Sequence, residues 1–120
     1  MKRQFLFRGK TFKNQWVTGD LIQYPSSTEI GRLNFADEIS FVKVKKETVG
    51  QFIGTTDCDK TDIFEDDILQ DDHGKKFIVR WSEGHCGFVT EPMKPDNIWP
   101  NLNPGTTRRL KVIGNIHDDA

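Results

Sequence analysis

Ile63-Phe64-Glu65-Asp66-Asp67-Ile68-Leu69-Gln70-Asp71-Asp72-His73-Gly74-Lys75-Lys76-Phe77-Ile78-Val79-Arg80-Trp81 is the stretch that decides the fold class. Two apolar runs flank Asp71-Asp72-His73-Gly74, a group of turn formers in which Asp bonds its own backbone and Gly accepts a positive φ. Beyond the turn, Phe77, Val79 and Trp81 alternate with Ile78 and Arg80. A period of two puts the first three on one face of a strand. The stretch therefore predicts a β-hairpin. Gly84 and Gly87 then bracket His85-Cys86 ahead of Phe88-Val89, which predicts a second hairpin across 77–90.

The flanking segments read the same way. Phe5 and Phe7 alternate with Leu6 and Arg8 as a strand start, and Trp16 to Tyr24 reads as a turn at Gly19-Asp20 feeding a strand. Pro25-Ser26-Ser27-Thr28 breaks the chain. Ile39 to Val44 is rich in β-branched and aromatic residues, with Lys43, Lys45 and Lys46 for water, and predicts a strand with one wet side. The best helix candidate, Ile30 to Ile39, carries Gly31 and lacks a 3.6-residue stripe. Residues 92–105 hold four of the five prolines and predict a long loop with no regular element. Arg109 to Ile116 is the last strand. Closely spaced strands with Gly-rich turns, and little helix, make the chain mainly β, a small barrel or sandwich.

Composition excludes several function classes. The 120 residues fit one domain with at most a small subdomain, too short for a (β/α)₈ barrel. Thirteen aromatics (nine Phe, three Trp, one Tyr) argue against wholesale disorder. With 17 Lys+Arg against 18 Asp+Glu, the net charge of −1 supplies no global basic field for nucleic acid or anionic membrane. The apolar run after Met1-Lys2-Arg3 stops after three residues, whereas a signal segment needs roughly 7–15. A cytoplasmic protein with reduced Cys58 and Cys86 is the expectation. His85 and Cys86 are the one adjacent pair of metal-type ligands, and neighbours in a strand face opposite ways. No structural metal is expected.

Each candidate for chemistry has a plainer counterpart. Asp57, Asp59, Thr61 and Asp62 begin like a calcium loop, but its sixth position is Asp62 where Gly is needed and its twelfth is Ile68 where a bidentate Glu is needed. A solvated acidic turn whose carboxylates bond the backbone is the preferred reading. His85-Cys86 near Glu83 suggests a thiol nucleophile, yet adjacent residues rarely meet the geometry that a base and an orienting group require. Pairs of carboxylates among Glu65, Asp66, Asp67, Asp71 and Asp72 are inevitable in so acidic a segment, and no phosphate-binding glycine motif occurs. Trp81, Phe88 and Trp99 beside Arg108 and Arg109 are the binding candidates. Stacking groups near bases suit a single-stranded nucleic acid, and a loop Trp such as Trp99 suits either a protein partner or pinning of its own loop.

Four segments occur in an order that resembles a known family: Gln51-Phe52-Ile53-Gly54-Thr55-Thr56-Asp57, then Ile63-Phe64-Glu65-Asp66-Asp67-Ile68, then Phe77 to Trp81, then Val112-Ile113-Gly114-Asn115-Ile116-His117. The set is similar to the YopX family of phage and prophage proteins, with Phe7-Arg8 matching its usual start. Asp66 stands where the family usually has Gly, so this Asp is expected in a left-handed conformation. The resemblance implies an N-terminal β segment (1–47) followed by an SH3-like small barrel (48–120), and a phage or prophage setting. It carries no catalytic residue and no cofactor. A non-enzymatic accessory protein is the resulting expectation, working in the bacterial cytoplasm through a protein partner or as a homo-oligomer, because exposed edge strands must be covered or paired. A nucleic-acid-binding small barrel is the alternative.

Overall fold

The computed structural model describes residues 5–33, 36–94 and 102–118. The chain is mainly β and divides into two compact units, Met1–Phe52 and Ile53–Ala120.

The first unit is an antiparallel array of β1 (Phe7–Lys10), β2 (Trp16–Gln23), β3 (Thr28–Leu33) and β4 (Ile39–Val44), with the start of β5 (Gly50–Thr56) beside β1. Trp16 to Gly19 pair with β1, whereas Asp20 to Gln23 pair with β3. Gly19-Asp20 is thus the pivot of one continuous strand, which corrects the turn expected there. Gly19 has φ +157°, and a Cβ on it would lie 2.2 Å from the Gly31 carbonyl oxygen, so the two backbones meet where only Gly fits. The turn that does follow β2 is closed by Tyr24 N–H donating to Ser27 O. Residues 30–33, part of the weak helix candidate, are strand.

Ile30, Val44 and Phe52 are the buried apolar side chains of this unit among the described residues. Thr48, in a 3₁₀ turn (Lys46–Thr48), accepts from Lys10 N–H and donates to Lys45 O. The end of β4 also bends onto the end of β1: Lys45 N–H donates to Lys10 O, and Thr11 bridges Val44.

The second unit holds the rest of β5, β6 (Asp62–Phe64), β7 (Asp67–Gln70), β8 (Lys76–Ser82), β9 (Gly87–Pro92), α1 (Pro104–Thr107) and β10 (Lys111–Asn115). Both expected hairpins are present: Leu69 faces Phe77, and Trp81 faces Phe88. In the first turn Asp71 Oδ1 accepts from His73 and Lys75 N–H, and Gly74 supplies φ +82°. β10 adds beside β7 with a bulge at Ile113, giving the order β10-β7-β8-β9. Ile63, Leu69, Phe77, Val79 and Leu110 form the core, with Ile53, Phe88, Leu102 and Val112 packed on it.

The proline-rich stretch does contain a regular element, contrary to expectation. α1 is a single helical turn with Pro104 at its start, and Asn103 Oδ1 accepts from Gly105 and Thr106 N–H while Thr106 Oγ1 accepts from Asn103 N–H. Among the described residues the sheet β10-β7-β8-β9 of the second unit is open, with β10 and β9 as its end strands. The barrel closure expected for 48–120 is therefore not found there, since no pair joins β9 to β10.

Candidate interaction surfaces

The acidic turn resolves into a bracket. Asp57 is buried; its Oδ1 accepts from Asp59 and Thr61 N–H at 2.8 and 2.9 Å, and its Oδ2 accepts from Val112 N–H at 2.9 Å. Burial pushes its carboxyl up, but the donors from Val112, Thr61 and Asp59, with the Lys111 charge, outweigh that and hold it below the ordinary 3.8. Its oxygens serve the backbone. The neighbouring Asp57, Cys58 and Asp59 could bring ligand atoms within 4.8 Å of one another, yet this group is explained by the turn it builds.

Three of the sequence segments behind the family resemblance converge on Asp66. It sits at φ +72°, the left-handed conformation expected of it. Asp67 Oδ2 accepts from Phe64 N–H at 2.8 Å and so fixes the turn between β6 and β7. Asp66 N–H donates to Val79 O, and Asp66 O accepts from Ile116 N–H. Its carboxylate meets Arg80 Nη1 at 3.3 Å and His117 Nε2 at 2.9 Å, and Arg80 Nε reaches Glu91 at 3.3 Å. This cluster ties β8, β10 and the β6–β7 turn together.

His85 and Cys86 take separate partners. His85 Nδ1 is hydrogen-bonded to Ser82 Oγ at 2.9 Å, whereas Cys86, at φ +51°, directs Sγ to Glu83 O at 3.6 Å. Both contacts belong to the β8–β9 turn. Cys58 and Cys86 are free thiols.

Of the binding candidates, the fold unites two. Trp81 and Phe88 are opposed across β8 and β9 with ring centroids 5.2 Å apart at 77°, an edge-to-face pair. Trp81 is 49% exposed, while Phe88 reaches the core and lines a shallow cleft of about 240 Å³ with Ile53, Gly54, Thr55, Leu102 and Pro104. Arg108 and Arg109 lie exposed at the end of α1. Trp99 lies outside the described residues.

The surface that sequence reasoning passed over is in the first unit. Every residue of β4 from Ile39 to Lys43 is exposed, although the strand is largely apolar. Leu33 (63% exposed) opposes Ile39 (61%), and Phe41 (46%) opposes Gly31, so Leu33, Ile39 and Phe41 share one face. Phe41 lies over the glycine: a Cβ on Gly31 would be 2.4 Å from Phe41 Cε1. Val42 is exposed on the other face. Strand β4 ends its sheet. The signal in the sequence is the apolar Ile39-Ser40-Phe41-Val42 between Asp37-Glu38 and Lys43-Val44-Lys45-Lys46.

Among the described residues no helix is long and apolar enough to cross a membrane. A search of curated proteins finds no match to the chain. The model of the YopX protein family matches residues 6–120, nearly the whole chain, and three of the four ordered segments meet at Asp66; the chain belongs to the YopX family.

Proposed function

We propose that this protein is a non-enzymatic accessory module of phage or prophage origin that works by protein contacts, self-association among them, in the cytoplasm of a bacterial host. The observation that carries this reading is the exposed apolar edge strand β4. Such edges are pairing sites unless charge, proline or a covering element blunts them, and Ile39, Ser40, Phe41 and Val42 offer none of the first two. Three buried apolar side chains, at about 1.5–3 kcal/mol each, make a thin core for a unit of this size among its described residues. Small scaffolds of this kind gain stability by association. An SH3-like organisation of residues 48–120 belongs to the same reading, supported by family membership and by the β7-β8-β9 meander.

The alternative of nucleic-acid binding would draw on Trp16, whose ring Arg8 and Lys10 approach at 4.8 and 5.7 Å. The cations already engage that ring, which lowers its value as a stacking platform for a base. Affinity capture of the tagged protein from host lysate, run with and without nuclease, separates the two. Proteins retained after nuclease treatment support the contact module. Capture that collapses on nuclease treatment, with nucleic acid in the untreated eluate, overturns it.

A further inference from the structure

We propose that an open groove in the first unit, walled by Phe12, Tyr24, Lys45 and Lys46, binds an extended segment of a partner protein in which carboxylate side chains stand beside proline or other apolar ones. The proposal rests on the contact-module reading above and names the partner's chemistry.

Three turns build the groove at one end of the sheet. Gln23, Thr28 and Val44 lie in one register row across β2, β3 and β4, and Thr11 bridges Val44, so the β1–β2 turn comes alongside. The β1–β2 turn, the β2–β3 turn and the link from β4 into the 3₁₀ turn surround a space of about 670 Å³. That volume falls within the range of ligand pockets, about 300–1,000 Å³. Leu33 and Ile39 lie at the opposite end of β3 and β4.

Each wall is fixed before anything binds. Thr11 N–H donates to Gln15 O, Asn14 N–H donates to Thr11 O, and Thr11 Oγ1 accepts from Gln15 N–H. Phe12 stands within this turn, 68% exposed. Tyr24, 50% exposed, begins the next turn, which its N–H closes on Ser27 O. Thr48 Oγ1 donates to Lys45 O at 2.6 Å and holds the third. Among the described residues neither ring has an aromatic or cationic partner, in contrast to Trp16. A rigid support spares the ordering cost of binding, and Tyr is enriched at binding hot spots.

Charge selects the occupant. Lys43, Lys45 and Lys46 line the groove together with one carboxylate, Glu47. Lys43 also opposes Glu29 across β3 and β4, which leaves the cationic surplus on Lys45 and Lys46. Lys45 Nζ donates to Asn14 Oδ1 at 2.7 Å. An ammonium has three protons and an amide oxygen is neutral, so this bond positions the cation without neutralising it. On a chain of net charge −1, a local excess of lysine favours an anion. The carboxylates decide which anion. A nucleic-acid strand is charged at every nucleotide and follows a continuous basic groove, which Glu29 and Glu47 interrupt. Isolated carboxylates of a peptide can meet Lys45 and Lys46 and avoid Glu47, while its proline or apolar side chains pack on Phe12, Tyr24 and Pro25.

A library of short random peptides, selected on the immobilised full chain, tests this. Recovered peptides are expected to combine Asp or Glu with Pro, Phe or Leu. A recovered peptide, labelled and titrated by fluorescence anisotropy, is expected to bind more weakly as salt rises. Phe12→Ser and Lys46→Glu are each expected to weaken it about tenfold, with thermal melts showing both variants folded. Lys76→Glu, the same charge change at an exposed position of β8, is expected to leave the affinity unchanged. Amide shifts on the parent chain need no variant, and the peptide is expected to move Phe12, Tyr24 to Ser27, and Lys45 to Glu47.

No enrichment, peptides without acidic residues, shifts confined to other residues, or an affinity that neither variant lowers overturns the inference. So does an oligothymidylate that binds this groove more tightly than any recovered peptide. If proteins are still retained from host lysate after nuclease treatment, the contact-module reading stands on another surface. If none is retained, both readings fall.

Discussion

His117 Nε2 stands 2.9 Å from Asp66 Oδ2, a contact that spans 51 positions and joins the β6–β7 turn to the end of β10. The carboxylate in this contact belongs to a residue held at φ +72°, where a side chain costs about 1–2 kcal/mol relative to glycine. Asp66 therefore balances backbone strain against its bonds to His117 and Arg80.

That balance can be separated by two substitutions. Asp66→Ala removes the carboxylate and keeps the strain, and it should destabilise the fold by about 2–3 kcal/mol. Asp66→Gly removes both and should cost about 1 kcal/mol less than Ala. Urea unfolding of the three proteins checks this; equal losses for Ala and Gly would show that the left-handed turn carries no strain.

Asp57 predicts an acid limb. Its carboxyl titrates below the ordinary 3.8 in the folded chain, so the ionised form stabilises the fold above the unfolded value. That contribution is lost as pH falls through 3.8 toward the folded value. Unfolding free energy should hold steady above about pH 5 and decline below about pH 4. Asp57→Asn should flatten this limb and lower neutral-pH stability by about 1–3 kcal/mol, because an amide cannot accept from all three backbone donors. Chemical denaturation across the pH range is the measurement.

Two glycines should respond to the same change with very different magnitudes. Gly19→Ala forces a Cβ against the Gly31 carbonyl and should cost more than about 3 kcal/mol or prevent folding of the first unit. Gly114→Ala meets nothing within 4 Å and should shift stability by no more than about 0.5 kcal/mol. Thermal melts of both variants suffice.

The edge-to-face pair on β8 and β9 is asymmetric in burial. Phe88→Ala should cost about 2–3 kcal/mol, since Phe88 packs on the Ile63–Leu110 core, and Trp81→Ala about 1 kcal/mol. Similar small losses at both positions in urea unfolding would identify Phe88 too as a surface aromatic.

Local chemistry made the two hairpins legible, because turn formers at 71–74 and alternation at 77–81 act within a few residues. It failed where a distant backbone decides. Gly19-Asp20 carries the composition of a turn, but Gly19 is required by Gly31 on another strand. A helix of one turn has no apolar stripe, so α1 was hidden, although Asn103-Pro104 is a start signal. The β4 surface was legible as a strand and not as a surface, since an apolar residue has the same alternation whether its face is covered or wet. The motif order suggested the family; the meeting of Asp66, Arg80 and His117 depended on strand pairing that spacing alone does not specify.

Strand β10 also imposes a timetable on synthesis. β7, β8 and β9 are joined by short turns and can pair as soon as they are made, but β7 waits for its other neighbour from Gln70 until Lys111. At 5–20 residues per second that interval of about forty residues lasts roughly 2–8 seconds. Throughout it the Asp57 carboxylate lacks its Val112 donor and β7 has a naked side. A nascent chain arrested before Lys111 should be cut by protease within β7, whereas the completed chain should resist.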